Sequence, residues 1–99
     1  MNTYIALLNF TNQGVQNFRE SPLRANAFKS ICKQTGVKVR EQYWTMGDHD
    51  GVVIFDAPND EAATATMLSL GALGNVRTKT LRAFDVAGFK RVIARSPKM

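Results

Sequence analysis

Two stretches of this chain are apolar on both faces at once: the nearly continuous run Thr3–Phe10 (TYIALLNF) and Val52–Phe55 (VVIF). A β-strand sends successive side chains to opposite faces. A strand that is apolar on both must therefore be covered on both, which places it in the middle of a sheet. Two other stretches alternate instead, residues 37–46 (VKVREQYWTM) and 75–84 (NVRTKTLRAF). In the first, Val37, Val39, Tyr43 and Thr45 fall on one face, with Lys38, Arg40, Gln42 and Trp44 on the other. Such half-polar strands suit the edges of a sheet.

Helical signals separate these strands. The polar cluster Thr11-Asn12-Gln13-Gly14 opens a helical region from Val15 to Thr35, broken at Ser21-Pro22, where serine caps and proline fits the first helical position. Leu23, Ala27, Phe28 and Ile31 recur at spacings of three and four and mark the expected buried face. Gly36 sits where a left-handed residue ends a helix. Gly47-Asp48-His49-Asp50-Gly51 is a turn. Asn59 or Asp60 caps a second helix, about residues 60–73, whose alanines allow close approach to a sheet. Asp85 caps a short last helix containing Phe89, Val92 and Ile93. The order is β-α-β-β-α-β plus a terminal helix. The expected fold class is α+β: a ferredoxin-like, four-stranded antiparallel sheet with helices on one face and strands one and three central. One domain spans residues 1–95, and 96–99 form a loose tail.

Composition narrows the function classes. The net charge of +5 is concentrated at the end of the chain. Residues 76–99 hold seven basic side chains against Asp85 alone, while residues 1–75 are close to neutral. Such an excess attracts anionic partners, but cations near a helix C-terminus are also favoured by the backbone dipole. Strand three carries no glycine- and aromatic-rich motif of the kind that stacks RNA bases, so nucleic acid is not expected as a partner. No apolar run approaches the roughly 18 residues of a membrane span. The N-terminus lacks a secretory pattern, and a single cysteine, Cys32, fits a reducing compartment. The expected location is cytoplasmic. One histidine and scattered acids match no metal-ligand spacing, and no cofactor is expected.

Several blocks then resemble the GYD-domain family, over about residues 2–95. They are Ser21-Pro22-x-Arg24-Ala25, Tyr43-Trp44-Thr45-Met46-Gly47, Ala57-Pro58-Asn59-Asp60-Glu61-Ala62-Ala63 and Leu73-Gly74-Asn75-Val76-Arg77 with its continuation to Phe84. The signature itself departs from the family pattern Gly-x-Tyr-Asp, reading Gly47-Asp48-His49-Asp50. The resemblance implies a ferredoxin-like fold related to the dimeric α+β barrels, with pockets between sheet and helices. It does not imply an activity.

Candidate chemistry centres on His49, the only imidazole and the natural general acid or base, with Asp50 beside it as a catalytic partner. The competing reading is plain turn chemistry, with Asp50 bonding local backbone. Tyr43 and Trp44 point to opposite faces of an edge strand, so one packs under the helices and the other faces the open side of the sheet. Together with Arg77 and Arg82, which can hold a carboxylate or phosphate, they are the candidate ligand-binding residues. Cys32 reads as packing. A sheet with helices on one side leaves an apolar face to be covered, and a homodimer is the simplest cover. The leading function is binding of a small organic molecule in a pocket of that dimer, with its transformation as an extension of the same reading. The alternative is a non-catalytic regulatory or assembly module.

Overall fold

A computed structural model describes residues 1–98. The strands are β1 (Asn2–Phe10), β2 (Lys38–Trp44), β3 (Gly51–Ala57) and β4 (Val76–Ala83). The helices are α1 (Asn12–Gln16), α2 (Ser21–Thr35), α3 (Asp60–Ala72) and α4 (Val86–Arg95), with a 3-10 turn at Phe18–Glu20 before α2. The sheet order is β2-β3-β1-β4 with every neighbour antiparallel. The two doubly apolar runs are therefore the central strands and the two alternating runs are the edges, giving the ferredoxin-like arrangement.

One face of the sheet carries α2 and α3. Tyr4, Ala6, Val53, Phe55 and Ala57 point into that layer and meet Phe28 and Cys32 from α2 and Ala63 and Met67 from α3, all buried. Tyr4 and Phe55 stack with ring centroids 5.3 Å apart. Each large side chain fully buried here contributes about 1.5–3 kcal/mol from its removal from water. The helices meet at a buried hydroxyl pair, Thr35 and Thr66, whose oxygens lie 2.6 Å apart. Thr66 also donates to the Ala62 carbonyl at 2.8 Å, so its complete burial leaves no polar atom unpaired.

Two local expectations change. The buried face of α2 is centred on Phe28 and Cys32, while Leu23 is 71% exposed and Ala27 is also exposed. Periodicity alone admits either face, because Leu23/Ala27 and Phe28/Cys32 are both pairs four apart. In β2, the register slips at Arg40: Val39 pairs with Phe55, yet Glu41 pairs with Ile54. This bulge reverses the alternation. Val39, Gln42 and Trp44 consequently face the helices, and Glu41 and Tyr43 face the open side.

Among the described residues, no helix lies on the opposite face of the sheet. Ile5, Leu7, Val52 and Ile54 form its centre, flanked by Tyr43 on β2 and Leu81 on β4. α4 leaves the end of β4 after only Phe84 and Asp85 and, among the described residues, packs substantially on no other element. The molecule measures 52 × 31 × 19 Å.

Candidate functional site

The best-formed cleft lies between α2 and the helix-side face of the sheet, at the end where β1 finishes and β3 begins. Its floor is Leu8 and Val53, and Phe28 and Leu70 wall it from the helices. Trp44 closes one side: its indole N–H donates to Ser21 Oγ at 2.9 Å, tying the end of β2 to the start of α2. The enclosed volume is about 70 Å³. At about one probe sphere per water, that admits a group of roughly five non-hydrogen atoms.

The loops around this cleft are fastened to one another. Thr11 Oγ1 accepts from the Gly14 N–H at 3.0 Å, capping α1, and donates to the Gly74 carbonyl at 2.6 Å. Its own N–H donates to the Asn75 carbonyl at 3.1 Å. Arg24 spans from α2 to the carbonyls of Asn17 (2.8 Å) and Gly14 (3.4 Å). Gly14 is buried so close to the Asn75 backbone that a Cβ there would stand 1.9 Å from its carbonyl oxygen.

The 45–50 turn is fixed in the same way. The Asp50 N–H donates to the Leu8 carbonyl at 2.8 Å, and Asp50 Oδ2 accepts from the Phe10 N–H at 2.8 Å. His49 Nδ1 lies 2.9 Å from Asn9 Oδ1, and Asn9 in turn donates to the Asp48 carbonyl at 2.8 Å. The two signature neighbours thus point to different partners: Asp50 continues the β1 ladder at the cleft, while His49 meets Asn9 on the open-face side of the sheet and does not line the cleft.

The remaining candidates lie apart. Tyr43 and Trp44 take opposite faces as expected, with Trp44 at the cleft and Tyr43 half-exposed on the open face, its hydroxyl donating to Glu41 at 2.7 Å. That carboxylate raises the Tyr43 pKa above its usual range. Arg77 stands on the open face of β4. Arg82 stands on the helix side at the far end, its guanidinium 5.6 Å from the centre of the Tyr4 ring and 4.6 Å from that of Phe84. Burial, and then a hydrogen bond to Asp60, push the Tyr4 phenol up. Cys32 is buried in the core, and desolvation pushes its thiol up to about 11. Among the described residues, no three metal-ligating side chains gather.

The sequence reading missed Gln42, which the Arg40 bulge turns into the cleft. Its amide makes no side-chain hydrogen bond among the described residues, whereas Asp50, Ser21 and Arg24 are all engaged. It also missed the convergence of the blocks that mark the family resemblance. Ser21 and Arg24, Trp44, Asp50, and Leu73 and Asn75 come from four separate segments and meet at this one cleft. What that arrangement offers chemically is a small apolar recess with one uncommitted amide.

The GYD domain family matches residues 4–93 of the chain. A Thermus thermophilus protein described as "glutamine synthetase and cystathionine beta-lyase binding protein" is 32% identical over 88 residues, covering 88% of this chain and 93% of that relative. The crystal structure of MtbAldR matches with a TM-score of 0.60 at 15% identity over 85% of this chain. The chain spans about half of MtbAldR, 52% of its length, and the likeness at that identity is one of fold.

Proposed function

The chain belongs to the GYD-domain family, and on that premise we propose that it is a non-catalytic binding module that pairs with itself and docks onto metabolic enzymes. The observation that carries this reading is the amount of apolar surface with no cover inside the chain. Exposed contiguous apolar patches mark interaction surfaces, and this one lies on the flat side of the sheet, where Ile5, Leu7, Val52 and Ile54 are only half-buried. The Thermus thermophilus relative, matched over nearly its whole length, is described by the two enzymes it binds, which supports enzymes as the class of partner.

The open face suits a second copy. A two-fold axis parallel to the strands lays each β4 edge over the partner's β2 edge. It sets Ile5 and Leu7 of β1 opposite the partner's Ile54 and the partner's Val52, at matching heights along the strands, so each copy covers the other's apolar centre. Light scattering on the purified chain at micromolar concentration should report a dimer, and a monomer would remove this part of the reading. Calorimetric titration with purified glutamine synthetase and cystathionine β-lyase tests the rest. Saturable binding to either supports it, and no heat with both at tens of micromolar defeats it.

The converging cleft favours a second reading, binding of a small organic molecule. Such a ligand places an apolar group of about five non-hydrogen atoms against Phe28 and Leu70. It offers a hydrogen-bonding partner to Gln42, and its outer part reaches the mouth beside Trp44. Native mass spectrometry of the chain purified without added ligand tests this: a reproducible adduct that Gln42→Leu abolishes supports it.

A further inference from the structure

We infer that α4 is the element that grips the enzyme partner, by laying its apolar stripe into a groove with an acidic rim. This rests on the reading of the chain as an enzyme-binding module and adds to it the surface used and the chemistry met. α4 is ten residues long, about 15 Å. Val86, Phe89, Val92 and Ile93 recur along one side of it, and the structure leaves them 75%, 54%, 37% and 58% exposed. A lone helix of this length is marginal in water, and in soluble proteins such a stripe is buried against something.

Charge says what that something is. After the cap Asp85, which accepts from the Gly88 N–H at 2.6 Å, every charged side chain to the end of the chain is basic: Lys90, Arg91, Arg95 and Lys98. The other surfaces of this chain are poor hosts for it. The groove between α2 and β2 has Lys29 and Lys33 of α2 along its helix side and no acid there. The groove between α3 and β4 has Tyr4, Met67 and Leu68 in its lining but sets Arg82 against its one acid, Asp60, whose carboxylate already accepts from the Tyr4 hydroxyl, so it offers no acidic excess. The open sheet face carries Lys38, Arg40, Arg77 and Lys79 against Glu41 and Asp56. A second copy therefore meets α4 with like charge on two of these surfaces and with no acidic excess on the third. The complementary host is a partner protein with an apolar floor and carboxylates at its margin, the helix-in-groove mode of recognition. The stripe is also small beside the roughly 800 Å² per partner of a stable interface, which fits one anchor of a reversible contact.

The test uses the full chain and purified glutamine synthetase and cystathionine β-lyase immobilised for interferometry. Two variants are compared with the parent: Phe89→Ser with Ile93→Ser, and Arg91→Glu with Arg95→Glu. Light scattering follows oligomeric state, and a third surface carries phosphatidylserine–phosphatidylcholine vesicles. The expected result is at least tenfold weaker enzyme binding for both variants at unchanged oligomeric state, with a shallower salt dependence for the charge reversal. Variants that bind the enzymes as the parent does overturn the inference while leaving the proposed function standing. So does a change of oligomeric state in the variants, which makes a second copy the occupant. Variants that lose only vesicle binding assign α4 to an anionic membrane surface and overturn it too. A parent that binds neither enzyme defeats the proposed function, and this inference falls with it.

Discussion

The two ends of the molecule are held in opposite ways. At the cleft end, α1, the start of α2, the 45–50 turn and the turn before β4 are joined by side-chain bonds from Thr11, Arg24, Trp44 and Asp50. At the other end, α4 is joined to the sheet by Phe84 and Asp85 and packs closely on no other element among the described residues. One end is a solved packing problem; the other presents its apolar side chains to water. The difference teaches that amphipathic pattern and internal fit are separate properties. The pattern in α4 is as clear as that of any core helix, yet among the described residues no other element packs closely on it.

Substitutions at the fastened end should be costly, and those in α4 should cost almost nothing. The largest effect is expected at Gly14, where even alanine places a Cβ 1.9 Å from the Asn75 carbonyl oxygen. Backbone must move and the Thr11 bonds go with it. We expect Gly14→Ala to lose about 3 kcal/mol or more by urea unfolding, and a loss under 1 kcal/mol would mean the two loops are not locked together. Asp50→Ala should come next, at about 1.5–3 kcal/mol, because it leaves the Phe10 N–H without its charged acceptor. Asp50→Asn should recover part of that loss, as the amide oxygen can accept in place of the carboxylate.

A pH effect follows from Cys32. Its folded thiol titrates near 11, while the unfolded one ionises near its ordinary value of 9. The unfolded chain therefore releases its proton first as pH rises. The stabilising contribution is whole below pH 9 and drains away between about 9 and 11. Unfolding free energies of parent and Cys32→Ala across that range should converge as pH rises, and a constant gap would count against a buried neutral thiol. The smallest effect completes the contrast. Phe89→Ser should change stability by no more than about 0.5 kcal/mol, and a loss of 2 kcal/mol would show that α4 is packed after all.

Much of the fold was legible because it rests on local pattern. The doubly apolar runs at Thr3–Phe10 and Val52–Phe55 announced central strands, and the alternating runs announced edges, with no need of long-range information. The face of α2 was legible in part: Phe28, Ile31 and Cys32 turn inward, but Leu23 and Ala27 fit the same spacing and only the neighbouring sheet leaves them outside. The Arg40 bulge was hidden for a similar reason: one extra residue leaves composition unchanged but turns Gln42 into the cleft. The candidate site was legible only in pieces. Trp44 and Asp50 were singled out, but their meeting with Ser21, Arg24 and Asn75 depends on contacts between residues far apart in sequence. His49 and Asp50, adjacent in the chain, take separate partners in space.

The short tether before α4 has a consequence for how such a protein can change over generations. Only two residues join the helix to the sheet, and its exposed side chains contribute little to stability. Mutations there escape the folding constraint that disciplines Gly14 or Asp50. Partner choice can then drift while the scaffold stays as it is, and a laboratory can exploit the same freedom by grafting a different helix after Asp85.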